Sequence, residues 1–149
     1  MNSEHPQTPL LAVDLIIRHA ANPGRVLVIE RRNPPPGWAL PGGFVDRGEP
    51  VEQAARREAL EETNLEVRLE ALLGVYSDPA RDSRGHTVSL VYVARGEGEP
   101  LAQDDAKSLC WLDPEDRTQP LAFDHRRILD DYLRFRATGE VAPLRHIGR

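Results

Sequence analysis

The most informative stretch of the chain is a helix-forming segment that carries three glutamates close together. Glu58, Glu61 and Glu62 are spaced i, i+3 and i+4, and residues at those spacings are neighbours on one face of a helix. Crowded carboxylates repel one another unless a cation lies among them. A hard divalent cation such as Mg²⁺ takes oxygen ligands of this kind, commonly together with substrate phosphates. The spacing therefore predicts a divalent-metal site.

The apolar stripe of the same helix directs these glutamates toward the protein interior. The stripe consists of four apolar residues: Val51, Ala54, Ala55 and Ala59. At about 100° per residue, Glu58 and Glu62 fall within the stripe and Glu61 lies at its edge. Carboxylates are rarely buried unless they are paired or bind a metal. A metal-binding face is therefore favoured over an ordinary solvated acidic face.

The segment around this helix, Gly43 to Leu65, resembles the signature box of the Nudix hydrolases, which cleave a nucleoside diphosphate linked to another group. The matching positions are Gly43, Glu49, Arg57, Glu58, Ala59, Glu61, Glu62 and Leu65. One position departs, because Asn64 stands where the family has Gly. This is the predicted C-terminus of the helix, where a left-handed residue is common and Asn is the next choice after Gly. The chemistry is therefore expected to be retained.

The resemblance implies a fold and a set of roles. The fold is α/β, an α/β/α sandwich with a mixed β-sheet between helices, formed by a single domain over residues 1–138. The implied ligands of Mg²⁺ or Mn²⁺ are the carboxylates of Glu58, Glu61 and Glu62 and the backbone carbonyl of Gly42. Glu49 is implied as an orienting carboxylate. Arg57 is implied to orient the glutamates, although its spacing also permits an i, i+4 pair with Glu61.

A general base is also expected, because a positioned base contributes roughly 10²–10⁴-fold to a rate. In several branches of the family it is a carboxylate on a loop outside the box, at a position that varies. The acidic candidates in this chain are Glu97, Glu99, Asp104 and Asp105. For each of them a solvated acidic loop is the alternative interpretation, so the choice stays open here.

Substrate selection must come from outside the box, and the stretch from Gly74 to Tyr92 is the best candidate. It begins and ends like a strand, with turn-forming residues between. The side chains expected to face substrate there are Tyr76, Asp78, Pro79, Arg81, Asp82, Arg84 and His86. Guanidinium groups suit phosphates, and carboxylates accept hydrogen bonds from ribose hydroxyls. An ordinary polar connection is the alternative.

Two further arginines end a predicted strand beside a proline-rich loop. Arg31 and Arg32 could each reach a phosphate, and Arg32 is predicted to be a substrate contact. Charges that protect a strand edge from aggregation are the alternative interpretation.

The same region narrows the resemblance to the small prokaryotic ADP-ribose pyrophosphatases. In that group a proline at about the position of Pro79 accompanies ADP-ribose, and the segment Ala122 to His125 is also similar. The implied function is hydrolysis of ADP-ribose, or a related nucleoside diphosphate sugar, to AMP and a sugar phosphate. Two alternatives remain: a nucleotide-pool hydrolase acting on ordinary or oxidised nucleoside triphosphates, and a non-catalytic regulator that binds ADP-ribose. The intact glutamate set disfavours the second.

The elements that must position these groups follow an α/β order. Leu10–Arg18 is predicted as a strand with 25–31 as its hairpin partner across the turn at Asn22-Pro23-Gly24. The remaining predicted strands are 38–40, 43–46, 65–75, 87–94 and 109–112. Helices are predicted over Val51–Thr63 and 123–135, and 139–149 is predicted as a loose tail.

Composition narrows the class of protein, its partners and its cellular compartment. A chain of 149 residues with a formal net charge of −5 and no dense basic run suits one enzyme domain and disfavours a nucleic-acid polymer as partner. The lone Cys110 suits a reducing compartment. Met1–Pro9 lacks the apolar core of a signal peptide, and no apolar run is long enough for a membrane span. A cytoplasmic enzyme acting on a small molecule is predicted, and the resemblance implies a homodimer.

Overall fold

The structure is a computed structural model that describes residues 5–145. Its elements, in chain order, are β1 (Leu10–Arg18), β2 (Val26–Arg31), β3 (Trp38–Ala39), β4 (Gly42–Phe44), α1 (Val51–Thr63), β5 (Glu66–Tyr76), β6 (Thr87–Glu97), β7 (Ala106–Leu112) and α2 (His125–Thr138). The predicted α/β order is confirmed. β5 has its predicted length, whereas β6 and β7 are longer than predicted, because their ends pair with neighbours far away in the sequence.

The strands form two sheets. The first has the order β4-β1-β6-β5 and is mixed, because β1 and β6 run parallel while the other neighbours are antiparallel. The second has the order β3-β2-β7 and is antiparallel. The predicted mixed sheet between helices is therefore present, with a second small sheet beside it.

The predicted hairpin between the first two strands is wrong. Arg25 closes the expected turn by donating to the carbonyl of Asn22, but β1 and β2 then diverge into different sheets. β6 pairs with one edge of β1 along its whole length, and β4 takes the other edge at Ala12–Asp14. Because both edges of β1 are occupied by segments distant in the sequence, a local turn signal could not identify its partners.

Each face of the first sheet packs against one helix. Successive side chains of a strand point to opposite faces, so Val13, Leu15 and Ile17 pack with the alanines of α1. Ile16 joins the opposite cluster with Ile128 and other residues of α2. Burial on both faces explains why β1 is almost continuously apolar. Removing these side chains from water is the main term that stabilises the sandwich.

The helix that carries the glutamates has the predicted bounds. Asn64 follows it in the left-handed conformation, with φ of 64°, and its N–H donates to the carbonyl of Leu60. Asn tolerates this conformation better than other side chains do. The replacement of Gly at this position therefore leaves the end of α1 intact, as predicted.

Part of the predicted loose tail is attached to the domain. The N–H of Ala142 donates to the carbonyl of Leu73 at 2.8 Å, and Arg145 donates to Asp131 at 2.8 Å. Residues 139–145 are thus held against β5 and α2, and residues 146–149 lie outside the described residues. The domain boundary at residue 138 stays a prediction. Within residues 5–145, no helix is both long and apolar enough to cross a membrane.

Candidate active site

A pocket of ≈ 410 Å³ opens beside α1 and the glycine-rich turn before it. Carboxylates and guanidinium groups both line it. The carboxylates include Glu58, Glu62 and Asp105, and the guanidinium groups are those of Arg31, Arg57, Arg81 and Arg84. A pocket with both signs of charge suits a ligand that carries phosphates together with metal cations.

Arg57 is the centre of the ion-pair network on α1. Its guanidinium makes a two-pronged pair with Glu49, at 2.7 Å and 3.0 Å. The same group donates to Glu58 and Glu61, each at 3.2 Å, and to the carbonyl of Phe44 at 3.0 Å. The hydrogen bonds from Arg57 lower the pKa of Glu49. Arg57 therefore makes both contacts that the sequence left as alternatives, orienting the glutamates and pairing with Glu61.

Glu58 and Glu62 are the two glutamates that reach the pocket. Burial raises the pKa of Glu58 to about 7, although Arg57 opposes the shift. Burial also raises the pKa of Glu62 to about 8, with smaller contributions from the charges of Glu58 and Asp105. Glu62 accepts a hydrogen bond from the N–H of Gly42 at 2.8 Å. Both carboxyl groups are therefore costly to ionise where they stand, unless a cation joins them.

The two glycines before α1 allow the turn to approach these carboxylates. A Cβ atom at position 43 would overlap the carboxylate of Glu58, and one at position 42 would overlap the carbonyl of Val13 and the side chain of Asp14. Glycine is required at both places because the backbone and the acidic side chains occupy the space of a side chain. The box therefore depends on Gly42, which precedes it, as well as on Gly43.

The donor set fits a divalent cation, although the ligands are not already gathered around one point. Two buried carboxylates with raised pKa values face a pocket, which is the environment that a hard cation relieves. Glu61 lies outside the pocket lining, and 43% of its side chain is exposed while it pairs with Arg57. Within residues 5–145, no three acidic, histidine or cysteine side chains stand close enough together to hold a metal. The predicted roles of Glu61 and of the Gly42 carbonyl stay predictions.

Three residues of the loop between β5 and β6 reach the pocket as expected. Arg81 forms a two-pronged pair with Asp124, at 2.7 Å and 3.0 Å, and its side chain is buried. Arg84 forms a similar pair with Asp82, at 2.8 Å and 3.0 Å. The loop therefore presents guanidinium groups whose orientation is already set by neighbouring carboxylates.

An aromatic ring links two of the pocket arginines. The guanidinium carbons of Arg31 and Arg84 lie 4.9 Å and 5.3 Å from the ring centroid of Phe123. Arg31 donates to the carbonyls of Pro34 and Pro35, which fixes its side chain without neutralising its charge. Burial, followed by the nearby charge of Arg84, lowers the pKa of Arg31. This part of the pocket is therefore suited to an anion.

The structure does not place five of the predicted substrate contacts at this pocket. Tyr76 is buried in the core, where its hydroxyl donates to Asp131 at 2.7 Å. The ring of His86 contacts the carbonyl of Ser77 at 3.0 Å and ties the two ends of the loop together. Pro79 is exposed on the loop. Tyr76 and His86 therefore support the core and the loop, because their polar atoms are already bonded there.

Asp78 and Arg32 are the other two corrections. The carboxylate of Asp78 accepts from the N–H of Ala80 at 2.9 Å and lines a second, shallower hollow. Arg32 is exposed, whereas its neighbour Arg31 lines the pocket. Successive side chains at a strand end point in opposite directions, so only one of the two arginines can face the ligand.

Among the four candidates for the general base, Asp105 is the one that lines the pocket. It accepts a hydrogen bond from Asn33 at 3.0 Å. Its loop is attached to α1, because the N–H of Gln103 donates to the carbonyl of Glu62 at 3.0 Å. Glu97, Glu99 and Asp104 are exposed and lie outside the pocket lining.

The pocket residues that the sequence analysis did not assign to the site include Asp14, Phe123 and His125. Asp14 could have been identified from the sequence, because it is a carboxylate in the middle of an apolar strand, where an unpaired charge is costly. Phe123 has φ of 56°, a conformation that its sequence does not reveal. His125 accepts from the N–H of Leu40 at 3.0 Å. It thereby ties the start of α2 to the segment that leads into the glycine turn.

Comparisons with known proteins agree with this architecture. A NUDIX domain sequence model matches residues 8–132, and the chain belongs to the Nudix hydrolase family. An ADP-ribose pyrophosphatase from Methanocaldococcus jannaschii is 46% identical over 131 residues, which cover 86% of this chain and 75% of the relative.

Two solved structures share the fold. The NUDIX domain of Shewanella oneidensis NrtR, in complex with ADP-ribose, superposes with a TM-score of 0.77 at 28% identity, covering 93% of this chain and 94% of that one. A bifunctional NMN adenylyltransferase/ADP-ribose pyrophosphatase from Francisella tularensis, in complex with AMP and a manganese ion, superposes with a TM-score of 0.72 at 29% identity. The match covers 85% of this chain and 42% of the Francisella protein.

Proposed function

We propose that the protein hydrolyses the diphosphate of ADP-ribose, or of a closely related nucleoside diphosphate sugar, to AMP and a sugar phosphate. The observation that carries the proposal is the meeting of two buried carboxylates, Glu58 and Glu62, with the guanidinium groups of Arg31 and Arg84 in one pocket. The 46% identity to an ADP-ribose pyrophosphatase supports this substrate class.

Glu58 and Glu62 would hold Mg²⁺ or Mn²⁺, with Glu61 and the carbonyl of Gly42 as the further ligands that the family pattern implies. When bound, such a cation neutralises diphosphate oxygens and lowers the pKa of water. The manganese ion in the Francisella structure supports a divalent cation in this fold. Arg57 holds the acidic side chains apart and in position through its bonds to Glu49, Glu58 and Glu61.

The remaining pocket groups have separate tasks. Arg31 and Arg84 would bind phosphate oxygens, because guanidinium groups make paired, charge-assisted hydrogen bonds with them. Asp105 is the pocket carboxylate that we assign as the proton acceptor for the attacking water, since the other acidic candidates lie outside the pocket lining. From composition and charge we further propose a cytoplasmic enzyme that acts on small molecules and not on nucleic-acid polymers, and from the family resemblance a homodimer.

A hydrolysis panel tests the proposal. Purified protein with Mg²⁺ or Mn²⁺ is given ADP-ribose, ADP-glucose, a dinucleoside polyphosphate, NADH, dGTP and 8-oxo-dGTP, and kcat/KM is compared. We expect ADP-ribose to be preferred, AMP to be the product and EDTA to abolish turnover. A preference for a triphosphate would refute the substrate assignment and leave the glutamate chemistry standing. Binding of ADP-ribose without turnover of any substrate would refute the enzymatic proposal.

A further inference from the structure

Asp14 is a carboxylate in a strand that is otherwise apolar from Leu10 to Ile17. It lies at the centre of the first sheet, with β4 on one side and β6 on the other. Only 13% of its side chain is exposed, and that side chain lines the pocket. Burial of a carboxylate is costly unless its oxygens are satisfied, so the partners of its two oxygens show what the position is built to do.

Within the described part of the chain, residues 5–145, the side-chain partners of Asp14 all contact one oxygen. Oδ2 accepts a hydrogen bond from the hydroxyl of Ser89 at 2.5 Å. His125 Nε2 and Arg81 Nη2 lie 3.7 Å and 3.9 Å from the same oxygen. Arg81 is itself paired with Asp124. The carboxylate is therefore held in one orientation by buried groups, which is the support that a binding residue requires.

The other oxygen, Oδ1, faces the glycine turn. No hydrogen bond from residues 5–145 reaches it. It lies so close to Gly42 that a Cβ atom at that position would overlap it. The N–H of the same glycine binds Glu62, so Oδ1 is adjacent to the carboxylate pair where the diphosphate is to be cleaved. A fixed acceptor oxygen thus borders the proposed reaction site, and none of the described residues donates to it.

The chemistry of this oxygen selects its ligand. A carboxylate oxygen accepts hydrogen bonds and repels phosphate. In a nucleoside diphosphate sugar, the group next to the diphosphate is a sugar with several hydroxyl donors. In a nucleoside triphosphate, the corresponding group is another phosphate. We infer that Asp14 Oδ1 accepts a hydrogen bond from a hydroxyl of the sugar beyond the diphosphate and thereby selects nucleoside diphosphate sugars against nucleoside triphosphates.

This inference rests on the proposed function. The two partners of the inferred hydrogen bond, the sugar of the substrate and the carboxylate of Asp14, are removed in turn to test it. The substrates are ADP-ribose and the methyl ester of ADP, which retains the adenosine and the diphosphate but has no second sugar. The proteins are wild type, Asp14→Ala, which removes both acceptor oxygens, and, as a matched control on the exposed side of α2, Asp130→Ala. For each combination kcat/KM is measured with Mg²⁺, together with turnover of ATP and a thermal melt.

Wild type and Asp130→Ala are expected to prefer ADP-ribose over the methyl ester by at least about 100-fold, because a site built to bind a hydroxyl discriminates strongly against its absence. In Asp14→Ala the preference should shrink to within about 10-fold, and turnover of ATP relative to ADP-ribose should rise. An equal loss on both ADP esters would overturn the inference, since it would indicate a structural role or a contact with adenosine.

Measurements on the wild-type protein can refute the inference by themselves, so the test does not depend on how well the variant folds. If wild type cleaves ADP-ribose and the methyl ester equally well, the inference fails while the proposed function stands. If wild type cleaves ATP but neither ADP ester, both the proposed function and the inference fail. A large preference for ADP-ribose that Asp14→Ala leaves intact, with an unchanged melting temperature, also overturns the inference.

Discussion

Helix α1 and the loop at residues 77–86 border the same pocket, but they use their polar side chains differently. On α1, Glu58 and Glu62 project into the pocket, and burial raises the pKa of each. On the loop, Asp78, Asp82 and His86 make hydrogen bonds to residues of the loop itself. The helix therefore offers acidic groups to the pocket, whereas the loop offers mainly guanidinium groups, with Arg84 held by Asp82 of the loop and Arg81 held by Asp124.

The difference has a simple physical origin. A helix satisfies its backbone hydrogen bonds internally, so its side chains are available to a ligand. An irregular loop leaves backbone groups unpaired, and short polar side chains satisfy them. Aspartates and serines in such a loop therefore commonly bond the loop backbone and are not available to a ligand. Long side chains such as that of Arg84 reach beyond the loop backbone and remain available.

Replacement of Glu62 by Gln should have the largest effect. Gln keeps the shape and can still accept from Gly42, but it removes the charge that would hold a cation. We expect turnover of ADP-ribose to fall at least about 100-fold, with a melting temperature close to that of wild type. Glu66→Gln, at an exposed position just past α1, is the control. Wild-type turnover in Glu62→Gln would refute the metal site.

The second-largest effect is expected on KM for ADP-ribose, and two adjacent arginines are compared to measure it. Arg31→Ala should raise KM for ADP-ribose about 10-fold, the size of one lost charge-assisted hydrogen bond. Arg32→Ala removes the same charge from an exposed position outside the pocket lining and should leave KM unchanged. Steady-state kinetics at fixed ionic strength measures both. Equal changes in the two variants would show a general effect of net charge and refute a direct contact by Arg31.

A moderate effect is expected from pH in the absence of metal. The folded chain keeps protons on Glu58 and Glu62 up to about pH 7 and 8, whereas the unfolded chain releases them near their ordinary value of 4.5. The folded state binds more protons across this window, so the free energy of unfolding contributed by these groups falls as pH rises.

Thermal melts in EDTA between pH 5.5 and 8.5 measure this contribution. Because a cation binds the deprotonated carboxylates, the stabilisation by Mg²⁺ or Mn²⁺ should grow over the same range. Glu62→Gln should flatten both trends. A melting temperature in EDTA that stays constant or rises with pH would contradict the environment assigned to the two glutamates.

The smallest effect on catalysis should come from Tyr76→Phe. This change removes the buried hydrogen bond to Asp131 and should lower the free energy of unfolding by about 1–2 kcal/mol. It should leave kcat and KM for ADP-ribose unchanged, because Tyr76 lies in the core away from the pocket lining. Denaturant melts and kinetics measure the two outcomes separately. A raised KM with unchanged stability would return Tyr76 to the substrate site.

The sequence alone determined the parts of this protein that depend on local spacing. The bounds of α1, the left-handed turn at Asn64 and the inward direction of Glu58 and Glu62 all follow from helical periodicity and from the residue preferred at a helix end. The same box identified the family, because it specifies residue types at fixed intervals. These features are readable since each is set by residues a few positions apart.

Only the tertiary structure decided which distant segments meet. It placed β1 between β4 and β6 instead of beside β2, brought Arg31 and not Arg32 to the pocket, and directed Tyr76 into the core. It also showed that Asp14 has one oxygen held by Ser89 and the other beside Gly42. Strand pairing and side-chain burial depend on contacts between residues far apart in the chain, and local spacing carries no record of them.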